Sequence, residues 1–460
     1  MTRTHDVLVI GAGFGGLGSA LRLAEHGVDV VLCEALGYPG GCACTFKRNG
    51  HKYEAGATLF SGLGEGQLFR QWIDRYGLDV EVEWLDPVLT FRAPGYELEI
   101  PRARDVLVER FADMPGAPRQ AIYNFFAEQK RVADILWSLL DDPVLLPPFD
   151  FGGFVRHLGR LPRYLPLARF AGRSVHAILK RHGLATFEPL RLYLDALCQI
   201  TVQCGIKEAE STVGLATMDY YFRGTGHVRG GIGELAKGLV AAIRQVGGEV
   251  RYASPVGKLR RDGAVWVADT PRGEVRARRV VANVLPQALH HLTGEKPFDG
   301  LTEEVESGWG ACMLYLVARD DVGPRHLQMV LDPTQPLQEG NHLFASRTET
   351  ITVSTHVRIG RSDMPAVQQK MREGIARMAP EWEIVDEFTA SPRTFERWTR
   401  RPGGYVGGVP RRAGQIPALR TATPDGLHLV GDSVFPGQST FAAALGGYKL
   451  AQKLSQKLAR

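Results

Sequence analysis

DVLVIGAGFGGLGSALRLAEHGVDVVLCE, residues 6–34, is the stretch on which the fold turns. Asp6 to Ile10 reads as an apolar strand, Leu17 to His26 carries helical periodicity, and a second buried strand runs from Val28 to Cys33 and stops at Glu34. The turn between strand and helix is GAGFGG. Gly11 permits the tight turn, Gly13 lets a backbone approach a pyrophosphate, and Gly16 lets the helix lie close on the strand. The helix N-terminus then offers unpaired N–H groups and a positive dipole end to phosphate. Glu34 follows Gly11 by 23 positions, where a carboxylate accepts hydrogen bonds from ribose hydroxyls. These features imply a dinucleotide-binding βαβ unit and an α/β fold.

The other end of the chain repeats part of this logic. Leu427 to Val430 reads as a strand, followed by Gly431, Asp432, a turn at Pro436 and Gly437, and an Ala-rich helix expected to be capped by Thr440. Such a helix aims its first N–H groups at whatever lies over the strand ends, where they would stabilise negative charge. Ala442, Ala443, Ala444 and Gly446 give it a small face for close packing. Between the two ends, residues 105–222 read as a mostly helical insertion, and a meander runs from Glu249 to Val284. GGIGELA at 230–236 imitates a second nucleotide fingerprint, but GTGHVR before it is a poor buried strand. It reads as a Gly pair opening a helix that packs on the nucleotide-binding domain.

Composition narrows the function classes. The chain has 460 residues, 44% hydrophobic and 23% charged, as a folded multi-domain protein requires. No uncharged apolar stretch reaches the roughly 18 residues of a spanning helix, and no leader precedes the first strand, so a cytoplasmic location is expected. The six cysteines have no zinc spacing, and Cys42 and Cys44 are too close in sequence to bridge comfortably. His51, His157, His176, His227, His290 and His291 are scattered without metal spacing. The hydrolase nucleophile elbow is absent. Phe151 to Phe187 holds no acidic residue but seven basic ones, Arg156, Arg160, Arg163, Arg169, Arg173, Lys180 and Arg181; the net charge of +5 leaves 5 − 7 = −2 elsewhere. Interleaved with Phe154, Leu158, Leu161 and Leu165, this segment suits an anionic membrane surface or an ordinary solvated face. Nucleic acid is not expected, because no recognised binding fold accompanies it. Pro162 and Pro166 predict short helices.

Four blocks in order, GAGFGGLGSALRLAEHG (11–27), GYPGGCACTFKRNGHKYEAGATLFSGLGEG (37–66), GHVRGGIGELAKGLVAAIRQVGGEV (226–250) and GDSVFPGQSTFAAALGG (431–447), resemble the phytoene desaturase and carotenoid isomerase family of amine-oxidase-like FAD enzymes. GDSVFPGQ and ATLFSGL lean toward its carotenoid-isomerase-like branch. The resemblance implies that Gly11, Gly13, Phe14 and Gly16 hold the FAD pyrophosphate and that Glu34 and Ala35 flank the adenosine ribose. Gly40 and Gly41 would make a second phosphate contact, with Cys42 where relatives often have Arg. Gly56, Ala57 and Thr58 would run beneath the flavin, Val256 would pair with the adenine edge, and Gly431 and Asp432 would meet the ribityl chain. Gln438, Thr440 and Phe441 would complete the flavin site. Glu54 stands where many relatives have Asp, and RTFERWTRRPGGYVGGVP at 393–410 would be a substrate-domain loop near the flavin.

The expected architecture is a Rossmann-type FAD-binding domain from residues 1–104, 223–290 and 421–460, with a discontinuous α+β substrate domain from 105–222 and 291–420 that includes the helical insertion. FAD would be non-covalent and the substrate a long apolar polyene or isoprenoid, acted on by desaturation, with oxygen or a quinone taking the electrons, or by flavin-dependent cis/trans isomerisation. The protein would sit peripherally on the inner face of a membrane. No catalytic side chain and no metal ligand is assigned. An amine-oxidase-like enzyme for a small substrate and a non-enzymatic prenyl-lipid carrier of the same fold are the alternatives.

Overall fold

The computed structural model describes residues 3–56, 58–147, 149, 151–415 and 421–458. The first sheet contains β1 (Thr4–Ile10), β2 (Val30–Cys33), β3 (Glu249–Arg251), β4 (Lys258–Asp262), β5 (Val265–Thr270), β6 (Gly273–Ala282) and β7 (Leu427–Leu429). Their order is β3-β2-β1-β6-β5-β4, with β7 also paired to β6. β3, β2, β1, β6 and β7 run parallel, while β5 and β4 extend the sheet as an antiparallel meander. In register, Ile10 lies opposite Cys33 and Ala282, Arg251 opposite Cys33, and Leu429 opposite Ala282. Five parallel strands therefore end at one edge.

β1 is apolar along its length because it serves two cores. Val7 and Val9 face a core shared with α1 (Phe14–Glu25), whereas Leu8 and Ile10 face one containing Leu285, Leu289 and Leu301. α1 begins three residues before the expected Leu17, directly after the turn.

The helical insertion includes α2 (Arg119–Leu140), α3 (Phe151–Tyr164) and α4 (Glu188–Thr201). α3 is longer than its prolines predicted, since Pro162 lies in its last turn. After it, α5 (Ile232–Gln245) and α6 (Thr440–Leu458) pack against α1 in the first core. α1 and α6 touch at backbone distance: an ideal Cβ on Gly18 would stand 2.5 Å from the Ala444 carbonyl oxygen, and one on Gly447 would collide with that of Gly15. The close-packing face of α6 is thus Ala444 and Gly447, while Gly446 looks toward Phe435 and Pro436 instead.

The second sheet has eight strands, with Trp309–Ala318 among its central members and Leu89–Ala93 and Tyr96–Ile100 at one end. Those last two strands fall within the 1–104 piece expected to belong wholly to the nucleotide-binding domain. They leave it because Phe91, Leu98 and Ile100 pack with Phe111, Phe125 and Tyr193 in the core of the helical insertion. Gly226–Val228 pairs with Leu59–Phe60 and Val82–Glu83 in a small separate sheet, so GGIGELA has no strand of the first sheet ahead of it. Among the described residues no helix is long and apolar enough to cross a membrane.

Candidate functional site

The residues that follow the five parallel strands meet at the shared edge, the position where open α/β sheets bind ligands. β1 leads into Gly11, whose φ of +92° is open to glycine but costly for a side chain. β2 leads into Glu34, β3 toward Val256, β6 into Asn283, and β7 into Gly431 and Asp432. An ideal Cβ on Gly13 would collide with Asn283 Nδ2, and one on Gly16 with the Gly11 carbonyl. Gly13 caps α1 without any side-chain hydrogen bond, so first-turn N–H groups remain for an anion. Glu34 accepts from the Ala12 N–H at 2.6 Å and the Leu36 N–H at 2.7 Å. Burial pushes its carboxyl up, opposed by the backbone N–H groups that favour the charged form.

Gly40 and Gly41 close the cradle from the other side. The Gly40 N–H donates to the Ala12 carbonyl at 2.8 Å, and a Cβ on Gly41 would stand 3.5 Å from Gly13 Cα. Cys42 follows, and burial pushes its thiol up, which disfavours a reactive thiolate. Beside it lies Arg401, which donates from Nη2 to Asp432 at 2.7 Å and from Nε to the Tyr405 carbonyl. Arg400 lines the same cavity, and its charge acts on Glu34. The positive charge missing at Cys42 is therefore present in space, brought by the 393–410 loop.

One cavity of about 890 Å³ connects these groups. Gly11, Gly13, Phe14, Glu34, Ala35, Gly40, Gly41 and Cys42 line it, as do Gly56, Thr58, Val256, Asp432, Gln438, Thr440 and Phe441. Gly16 and Gly431 stand behind the wall, and Ala57 lies outside the described residues. The cavity continues past the cradle to Leu59, Leu136, Leu140, Val213 and Ala216. The cap of α6 is Ser439, not Thr440: Ser439 Oγ accepts the Ala442 N–H at 3.1 Å, which leaves Thr440 on the cavity wall. The Thr58 Oγ1, buried without a partner, and the free first turn of α1 fit a phosphate- and hydroxyl-rich dinucleotide such as FAD.

Sequence reasoning missed Asn283. Its side chain sits among the glycines of both nucleotide blocks, with ideal Cβ positions on Gly15 and Gly431 at 2.6 and 2.7 Å from its Oδ1. The available signal was a polar residue directly after Val280, Val281 and Ala282. Glu54 also acquires a role. It accepts from Thr45 Oγ1 at 2.6 Å and from the Ile232 N–H at 3.1 Å, so a protein carboxylate occupies the start of α5, where a second dinucleotide would need to bind.

The model of the flavin containing amine oxidoreductase family matches residues 14–309. The chain is 26% identical over 515 residues to prolycopene isomerase 1, chloroplastic, of an Oncidium hybrid cultivar, covering 99% of this chain and 84% of that protein. It is 27% identical over 273 residues to the all-trans-retinol 13,14-reductase of Rattus norvegicus, covering 56% of this chain and 43% of that protein. A solved oxidoreductase from Methanosarcina mazei shares the fold at TM-score 0.65 and 17% identity, over 97% of this chain and 100% of that one. The family match takes in Glu34 and most of the first sheet; the chain belongs to the flavin containing amine oxidoreductases and is an FAD-dependent oxidoreductase.

Proposed function

We propose that the chain acts on a long apolar polyene or isoprenoid, with flavin-dependent cis/trans isomerisation as its reaction. The observation that carries this reading is the continuity of the cradle with the apolar wall of Leu59, Leu136, Leu140, Val213 and Ala216. The similarity to prolycopene isomerase along nearly the whole chain supports it. Bound FAD supplies electron and hydride exchange at its ring. The protein's part is placement. Gly11, Gly13 and Gly41 would bring backbone to the pyrophosphate, Arg400 and Arg401 would balance its charge, Glu34 and Asp432 would accept from ribose and ribityl hydroxyls, and Val256 would meet the adenine edge. The first-turn N–H groups of Thr440 and Phe441, which line the cavity, would stabilise negative charge on a bound flavin. With its thiol protonated, Cys42 forms no bond to the cofactor, which is held non-covalently.

Reduction of the polyene is the second reading, favoured by the similarity to a retinol reductase over part of the chain. Desaturation would require oxygen or a quinone as electron acceptor.

The substrate reaches the cavity from a membrane surface. α3 presents Phe151, Phe154, Val155, Leu158 and Leu161 on one stripe, and all are exposed. The basic charge of this segment is weaker than the sequence suggested, because Arg156 on α3 pairs with Asp142, and Arg169, beyond the end of α3, pairs with Glu128. Apolar insertion therefore dominates attachment. Incubating reduced and oxidised holoenzyme with cis and trans polyenes and with primary amines, followed by product analysis, tests the reading. Geometric isomers formed only by the reduced enzyme are expected; amine oxidation with every polyene unchanged would overturn it.

A further inference from the structure

Arg411 lines the same cavity. Its backbone is fixed to the chain just after α4, donating its N–H to the Val202 carbonyl at 3.0 Å and accepting the Glu210 N–H at 2.9 Å. Its guanidinium lies against the turn before α6, where an ideal Cβ on Gly437 would stand 2.7 Å from Nη2. Burial lowers the pKa of this guanidinium, which still keeps its charge at neutral pH. Neighbouring arginines are paired: Arg412 with Glu208 at 2.9 Å and Arg401 with Asp432 at 2.7 Å. Among the described residues no carboxylate oxygen comes within ion-pair distance of Arg411, and Glu304 acts on it only as a more distant charge. An unpaired cation and the positive end of α6 thus stand side by side.

Two amides of the cavity wall stand beside Arg411. Gln438 donates from Nε2 to the Ile200 carbonyl and leaves its own buried Oε1 unpaired, an acceptor open to an N–H. Gln203 is 1% exposed, and its backbone carbonyl accepts the Trp309 indole N–H at 2.8 Å. Its amide lies 3.4 Å from Nε2 of His356, whose Nδ1 is 3.0 Å from Gln199 Nε2. Gln199 Oε1 in turn accepts from Gln338 Nε2 at 2.7 Å, which sets the direction of that amide. Burial lowers His356 to about 4, so its ring is uncharged, with one N–H and one lone pair. With the lone pair on Nδ1 accepting from Gln199, the Nε2–H needs an acceptor. Gln203 supplies it by turning Oε1, which otherwise has no partner, toward the ring, and its NH2 is then left without a protein acceptor on the cavity wall.

The three side chains therefore offer two donors, the Arg411 guanidinium and the Gln203 NH2, and one acceptor, the Gln438 Oε1. The pyrimidine edge of a flavin carries the complement, two carbonyl oxygens with an N–H between them, and it gathers negative charge when the ring is reduced. We propose that Arg411, Gln203 and Gln438 seat this edge, and that the Arg411 guanidinium joins the first turn of α6 in holding the charge of the reduced ring, so that it raises the reduction potential of the flavin. The role goes beyond the polyene reading and is the same whichever substrate the cavity takes.

The test needs no substrate. Native holoenzyme and its Arg411→Met, Arg411→Lys and Arg412→Met variants are reduced slowly beside a dye of known potential, and the flavin and dye absorbances are read at equilibrium. Arg411→Met is expected to shift the equilibrium toward oxidised flavin on the order of tenfold, a potential about 30 mV lower for this two-electron couple. Arg411→Lys should keep part of the native value, and Arg412→Met, whose charge is held by Glu208, should keep all of it. Gln203→Leu and Gln438→Leu should move the absorbance band of the oxidised flavin and weaken FAD binding severalfold, read by quenching of flavin fluorescence. A native potential in flavin-loaded Arg411→Met overturns the proposal, and Arg411→Gln gives the same reading if the Met variant does not fold. An equal shift in Arg412→Met also overturns it, since net charge alone would then explain the effect, as do a native band and native FAD affinity in both glutamine variants. Because every readout is of the flavin alone, failure of the polyene reading leaves these outcomes unchanged.

Discussion

Replacing Glu54 by Gln should remove a specific pH dependence of stability. Glu54 is 1% exposed and lies between the Thr45 hydroxyl and the Ile232 N–H, and burial pushes its carboxyl from 4.5 up to about 7. Between those two values the folded chain keeps a proton that the unfolded chain has lost. Stability from this group is therefore complete below pH 4.5, falls as pH rises through 7, and is flat above; the fall totals about 3 kcal/mol. His342 and His356 act in the opposite sense. Burial lowers them to about 3 and about 4, so stability is lost as pH falls below 6.5 and the unfolded chain gains protons that the folded chain refuses. The whole-protein curve mixes both effects, but the difference between native and Glu54→Gln chains isolates the carboxyl. Urea unfolding of the pair, followed by tryptophan fluorescence from pH 4.5 to 7.5, should show the stability of the native chain relative to the variant dropping by about 3 kcal/mol. A difference constant with pH would refute the assignment of a protonated Glu54 at the start of α5.

Arg401→Met leaves Asp432 without its partner and removes charge from the phosphate side of the cradle. FAD affinity, read from quenching of flavin fluorescence, should fall about tenfold or more with the fold retained, and unchanged affinity would remove Arg401 from the cofactor's contacts. Acid precipitation of the holoenzyme should release all flavin into the supernatant, since desolvation pushes the half-buried Cys42 thiol up and disfavours a reactive thiolate; flavin in the pellet would reverse that. Phe151 and Leu165 are 82% and 71% exposed, so changing both to Ser removes about 3–6 kcal/mol of burial in a lipid surface. Binding to anionic liposomes should fall sharply while thermal stability is unchanged, and undiminished binding would leave α3 and the turn that follows it at Leu165 as a solvated face.

The glycine cradle was legible because its signal is local. Gly11 to Gly16, Glu34 and the Gly431-Asp432 pair each sit at the end of an apolar strand, and strand, turn and helix lie within a few residues of one another. Gly40, Gly41 and Val256 were legible only through resemblance. Asn283 and Arg401 were not read as site residues, because their local signals are weak: one polar residue after an apolar strand, and one arginine in a loop placed near the flavin only by resemblance. Asn283 becomes central through the parallel register of β6 with β1, and Arg401 through a loop that crosses to Asp432 and Cys42. The placement of Leu89–Ala93 and Tyr96–Ile100 was lost for the same reason: alternation identifies a strand but does not say which sheet it joins. Glu54 appeared as a conservative change in sequence, whereas its function as a cap depends on Gly231, where a Cβ would collide with its carboxylate.

The proposed reaction needs flavin and polyene to meet in one cavity at the carboxyl edge of the first sheet. Val213→Trp, on the wall beyond the cradle, tests it most directly when polyene isomers formed by the reduced enzyme are measured by chromatography. A full complement of FAD with an unaltered spectrum and loss of isomer formation are expected. Undiminished isomer formation by a folded, flavin-loaded variant would contradict it.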